Sequence, residues 1–201
     1  MPKRDAAYMS DQRELIARAV LEVLLEKGVY DTSLRDMCEK ANVSIGAFYN
    51  HFPTKEDAIV AARYLDLTEN NFLPPASNWR EYVASIAKAF CSRDKLQLQR
   101  RRLSLQFAAE ILQMKRNPQG LPAVYHVQRD TMKANLKAVF DRGEVSLPFG
   151  LERTVEIHAQ VALGASYRLS NDLDLTVEAA VTILEDGLAA TAGLIRKPQK
   201  R

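Results

Sequence analysis

Apolar residues recur along this chain at helical intervals. Ile16, Val20, Val23 and Leu24 form one stripe, Leu34, Met37, Cys38 and Ala41 a second, and Phe48 and Phe52 share a face one turn apart. Near the C-terminus Val177, Ala180, Val181, Leu184, Leu188 and Thr191 continue the same period. No segment alternates as a strand would, and no Asn-Gly or Asp-Gly pair marks a hairpin. Prolines at 53, 74, 75, 118, 122 and 148 separate the periodic stretches, as residues that interrupt a helix should. The pattern predicts an all-α chain of about nine helices. The longer ones are expected over 11–27, 55–71, 78–91, 94–116, 122–142, 151–169 and 174–194.

The boundary residues sharpen the N-terminal part. Asp11 with Glu14 reads as a capping box opening the first helix, and Gly28 as its stop. Ser33 with Asp36 opens a short second helix, on which Cys38 reads as a small core residue. Asn42 tolerates the left-handed conformation that ends a helix, Val43 can plug the turn, and Ser44 can cap a third helix over 45–52. Pro53 stops it, and Thr54 with Asp57 starts the fourth. Helix, tight turn and short second helix with a free outer face is the helix-turn-helix plan. It sets a domain over 8–68, with its motif at 33–52, ahead of a helical bundle over 69–201.

Composition narrows the chemistry. The 201 residues are 47% hydrophobic and 26% charged, ordinary for a soluble protein. Two cysteines and three histidines leave no disulfide framework and no metal cluster, and His126 and His158 have no partner at ligand spacing. No Gly-rich phosphate loop and no nucleophile–base spacing is present, so neither an enzyme nor a cofactor is expected. Without an apolar run long enough for a membrane or an export signal, the expected location is the cytoplasm, with no membrane partner. The net charge of +3 says little, and residues 1–72 hold nine Lys and Arg against twelve Asp and Glu. Between Ser44 and Lys55, however, there is no acid, and Lys55 is the one Lys or Arg. A phosphate-facing surface needs the right field only within about 8 Å, one Debye length.

The stretch from Thr32 to Lys55, TSLRDMCEKANVSIGAFYNHFPTK, resembles the DNA-binding domain of TetR-family transcriptional regulators. The resemblance implies an all-helical homodimer that binds palindromic double-stranded operator DNA and leaves it when a small-molecule effector enters the larger domain. On that reading Tyr49, whose ring can be half buried beside Phe48, reaches a phosphate, and His51 resembles a phosphate contact of the family. Lys55, in the first turn of its helix, is a further phosphate contact, and Ser33 and Ser44 cap helices while donating to the backbone of the duplex. Base reading falls on Ile45, Gly46, Ala47 and Asn50, with Arg35 as the directional contact. Many members of the family carry Lys or another polar residue where Ile45 stands, and Thr or Ser where Ala47 stands. Ile and Ala cannot hydrogen-bond a base edge but can meet thymine methyls.

The bundle is less specific. Phe90, Phe107, Tyr125, Met132, Phe140 and Tyr167 fall where they pack a core or line an apolar cavity. Three successive helix residues, Arg100, Arg101 and Arg102, cannot share one narrow solvent stripe; solvated or internally paired side chains are the default, and one can pair with an acid of the fourth helix such as Asp66 or Glu69 or meet an anionic ligand. Ala159, Ala162, Gly164 and Ala165 make a small face that either docks a second copy or closes the monomer's own core. The basic tail 196–201 reads as a solvated terminus. The functional expectation is a ligand-responsive DNA-binding regulator, a repressor, acting as a dimer. The alternative is a helical protein-interaction module that binds no DNA.

Overall fold

A computed structural model of the chain describes residues 6–69, 73–113, 118, 120–172 and 174–194. Among them lie nine helices: α1 (Ala6–Lys27), α2 (Leu34–Lys40), α3 (Ile45–His51), α4 (Lys55–Glu69), α5 (Trp79–Cys91), α6 (Lys95–Gln113), α7 (Leu121–Asp141), α8 (Leu151–Asn171) and α9 (Val177–Ala192). The chain is all-α. Its sole extended pairing among the described residues is an isolated antiparallel bridge between Val145 and Leu194. No described helix is long and apolar enough to cross a membrane. α1 begins five residues before the expected start. Asp11 lies inside the helix, exposed, because Ala6 to Ser10 hold helical geometry ahead of it. The basic tail and the Tyr125 side chain lie outside the described residues.

The helices fall into two compact units, one within Met1–Asn71 and Leu98–Val127, the other within Phe72–Gln97 and Gln128–Arg201. In the first unit α1 packs on α2, α3 and α4. Ile16, Ala17, Val20, Val23 and Leu24 bury the inner face of α1 against Met37 and Cys38 of α2, Phe48 and Phe52, and Ala58, Ile59 and Ala62 of α4. Cys38 is thus a core residue, and burial pushes its thiol pKa up.

α6 completes this unit by holding helix ends. The Arg102 guanidinium donates to the last-turn carbonyls of α1 at Leu25 (2.8 Å) and Glu26 (2.9 Å), and Gln106 Oε1 accepts the Val29 amide at 2.7 Å. Gly28 turns the chain between them at φ +87°. A side chain there would be strained, and its Cβ would stand 2.5 Å from Gln106 Oε1. Deeper in, Asp66 of α4 accepts from Arg63 (2.5 Å) and from Arg100 of α6 (2.9 Å), all three buried, and Arg63 also donates to Ser104 (2.7 Å). The arginine run therefore finds its acid, as its crowding on one helix predicts. One carboxylate holds two guanidiniums away from water.

The second unit is built on α5, α8 and α9 around one apolar core with Met132, Leu136 and Val139 of α7. Phe90 and Met132 are buried in this core, and Phe107 is buried on α6. Phe140 and Tyr167 depart from expectation and are exposed, at 45% and 59%. On α7 the buried stripe is Met132, Leu136 and Val139, and one residue further the helix turns Phe140 outward. Tyr167 is likewise displaced from the stripe that runs through Ala162, Ser166 and Leu169.

Within this core His158 is fully buried and ties three helices. Its Nε2 lies 3.1 Å from the Leu188 carbonyl and 3.1 Å from Thr191 Oγ1, and its Nδ1 is 2.8 Å from Tyr82 Oη. A carbonyl can only accept, so Nε2 carries the proton and Nδ1 accepts the tyrosine O–H. Burial lowers the His158 pKa to about 4 and pushes Tyr82 up.

Two outcomes are expected. Asp66→Asn leaves two buried guanidiniums without a counter-charge and costs about 3–5 kcal/mol in urea unfolding. His158 is depressed in the folded state from 6.5 to about 4, so its contribution is complete above pH 6.5 and is lost as the pH falls toward 4. The wild type should lose up to about 3 kcal/mol more over that window than His158→Gln, measured by urea unfolding at both ends.

Candidate nucleic-acid interface

The residues singled out from the sequence converge on α3 and its approaches. Ser33 caps α2 through a full capping box. Its hydroxyl accepts the Asp36 amide at 3.1 Å, while Asp36 takes the Ser33 amide (2.8 Å) and the Ser33 hydroxyl proton (2.6 Å). Lys27 also donates to Asp36 at 2.6 Å, and with the Ser33 bonds it holds that carboxyl far below the usual range. The Ser33 hydroxyl is therefore spent within the cap, and a phosphate contact by it would require breaking the bond to Asp36. Ala41 ends α2, Asn42 takes the left-handed conformation at φ +51°, and the Val43 amide returns to the Cys38 carbonyl at 3.0 Å. Ser44 then caps α3, its hydroxyl accepting the Ala47 amide at 3.1 Å. Its O–H is left to donate outward.

α3 has two unlike sides. Phe48 and, at its C-cap, Phe52 are wholly buried, with rings 5.6 Å apart. Ile45, Gly46, Tyr49 and Asn50 are exposed, and Ala47 and His51 half-buried. The Tyr49 ring stands edge-on to Phe48 at 5.8 Å, so the core steadies the ring of a residue that is itself exposed. A Cβ at Gly46 would meet nothing closer than Ser44 Oγ at 4.0 Å, so the backbone there is open to close approach. The Lys55 ammonium donates to the Thr32 carbonyl, which places it at the junction with α2, with further protons to give.

Arg35, Ser44 and Ile45 come together with Glu39, Asn42 and Val43 around an open concavity of about 540 Å³ on the α2–α3 surface. Arg35 is engaged by Glu39 at 2.8 Å, one turn on, and is 84% exposed. Water screens so exposed a pair, so a stronger acceptor can take the guanidinium over. His51 contributes its carbonyl, which accepts from the Arg13 guanidinium of α1. Arg13 also lies over the Phe52 ring at 4.2 Å. Burial lowers its pKa, against the pull of the Asp57 charge. Arg13, 38 residues from His51, was not found from the sequence, where nothing marks it. Among the described residues no group of three His, Cys, Asp or Glu side chains could hold a metal ion.

Residues 16–62, from α1 through α4, match the family of bacterial regulatory proteins, tetR family. The HTH-type transcriptional regulator SrpR of Pseudomonas putida is 25% identical over 211 residues, covering 100% of this chain and 92% of that protein. The chain carries a TetR-family helix-turn-helix domain. It is a DNA-binding regulator of the helix-turn-helix type. Solved structures share its fold. A putative TetR-family regulator from Rhodococcus sp. superposes with a TM-score of 0.67 at 17% identity, over 91% of this chain and 99% of that one. A putative transcriptional regulator from Saccharomonospora viridis, in complex with choline, gives 0.66 at 13% identity, over 93% and 99%.

The exposed side of α3 exists only while its caps and aromatic anchors hold. Ser44→Ala removes the side-chain acceptor for the Ala47 amide and should lower unfolding free energy by about 1 kcal/mol in urea titration.

Proposed function

We propose that this regulator is a dimeric repressor that binds a palindromic operator through α3 and leaves it when a small molecule binds. The observation that carries the reading is the outward side of α3. It is free of acid from Ser44 to Lys55, open at Gly46, and fringed by the hydroxyls of Ser44 and Tyr49 and the Lys55 ammonium. Ile45 and Ala47 meet thymine methyls, Gly46 lets the backbone approach the groove, and Asn50 is the amide within reach of an adenine. Tyr49, Ser44, His51 and Lys55 contact phosphates, Ser33 supports the α2 end, and Arg35 exchanges Glu39 for guanine or phosphate.

The dimer reading is supported by α8 and α9. Leu163, Tyr167 and Ile183 are large apolar residues left exposed, at 48%, 59% and 54%. The small residues divide their work. Gly187 admits Val161, whose methyl would sit 3.1 Å from a Cβ there, so it closes the monomer's own α8–α9 contact. Gly164 faces open space and suits a second copy. A two-fold mate sets two α3 helices against successive major grooves about 34 Å apart. The Saccharomonospora viridis protein carries choline on the same fold, which is a precedent for a small-molecule effector. Release needs only that the effector prefer the non-binding arrangement by a few kcal/mol. Asp66, gripped by α4 and α6 together, gives movement of α6 a stiff path to α4.

Fluorescence anisotropy on a duplex from the gene's own upstream region tests the reading. Tyr49→Phe should weaken binding about 30-fold or more, since the homodimer loses one hydrogen bond to phosphate in each half-site. With two or three phosphate contacts per monomer carrying charge, the log–log salt slope should be about −5 or shallower for the dimer. Selected sites should favour thymine at the central half-site positions. Affinity indifferent to both Tyr49→Phe and Lys55→Ala would favour the interaction module instead.

A further inference from the structure

The first unit holds a cavity of about 470 Å³ framed by α1, α4 and the start of α7. That volume lies in the range of small-molecule sites, about 300–1,000 Å³. Its walls are apolar, from Ala17 of α1, Val60, Ala61 and Leu65 of α4 and the Tyr64 ring. Its charged groups are Arg13 and Glu14. They are not equivalent. Glu14 is already neutralised by Arg18 at 2.7 Å, and Arg18 is held in turn by Glu69. Arg13 has no carboxylate bonded to it among the described residues. One of its N–H groups goes to the His51 carbonyl, and its flat face lies on Phe52. A planar guanidinium with donors to spare, beside an apolar wall, matches a carboxylate or sulfonate carried on a ring.

We propose that this cavity binds a small aromatic anion whose charged group pairs with Arg13, and that its binding draws Arg13 away from the end of α3. Arg13 is shared between the cavity and the recognition helix. It both lines the pocket and clasps the last residue of α3. A ligand that takes the guanidinium competes with the His51 carbonyl and the Phe52 ring, and α3 loses a hold on its C-terminal end. The regulatory half of this inference rests on the reading that α3 docks on DNA, whereas the binding half does not.

The test uses the full chain and two fluorescent probes, anilinonaphthalene sulfonate and its uncharged analogue N-phenylnaphthylamine. Wild type should bind the sulfonate saturably in this site. Ala61→Trp, which fills the cavity and leaves α3 untouched, should weaken both probes about tenfold or more. Arg13→Gln should weaken the sulfonate about tenfold and the uncharged analogue less than about twofold, since only the first loses a charge-assisted bond. The sulfonate should also lower operator affinity for wild type and not for Ala61→Trp. Should Ala61→Trp fail to fold, the selectivity of Arg13→Gln decides. Equal affinity in wild type and both variants, or equal loss of both probes in Arg13→Gln, overturns the site. Sulfonate binding that leaves operator affinity unchanged overturns the link to α3. The probe titrations contain no DNA, so their failure is distinct from failure of the operator reading.

Discussion

A seven-residue helix has almost no stability of its own, because nucleation costs more than so few hydrogen bonds return. α3 persists because it is pinned at three places. Ser44 caps its start, Phe48 and Phe52 are sunk in the core of α1 and α4, and Arg13 clasps its last carbonyl. Every pin lies on one side or at an end. The remaining side is left to solvent by construction, and it is the side proposed to read a groove.

The electrostatics follow from that arrangement rather than from net charge. The acids of the first unit are largely occupied. Asp36 is bound by Lys27 and Ser33, Glu22 by Lys40, Glu14 and Glu69 by Arg18, and Asp66 by Arg63 and Arg100. A domain whose acids outnumber its bases can thus present a third helix that carries no acid of its own. Under the proposed docking, affinity comes from hydroxyls and backbone donors placed by the fold more than from a broad field, and salt should weaken it less than it weakens a basic patch.

The helices and the turn between α2 and α3 were legible because their signals are local. Ser33 with Asp36, Asn42, Ser44 and the Phe48–Phe52 pair each act within a few residues, and each took the predicted role in the fold. The first helix start was misread for the same reason. Asp11 and Glu14 mimic a cap, and nothing local shows that Ala6 to Ser10 continue the helix. The clasp of Arg13 on His51 and the tie between His158 and Tyr82, 76 residues apart, depend on packing between helices and leave no local trace. Arg100 with Asp66 was anticipated only because three consecutive arginines crowd one helix. Phe140 was misplaced because it lies four residues from buried Leu136 and so fits the inward period, while the buried stripe in fact passes through Val139.

Amide NMR spectra of the full chain, titrated with a duplex from its own upstream region, address the central claim directly. If the outer side of α3 meets DNA, the amides of residues 44–51 and of Lys55 should shift or broaden together at the lowest duplex ratios, ahead of any change in the second unit. Perturbation confined to other surfaces, with residues 44–51 unmoved at saturating duplex, would contradict the account.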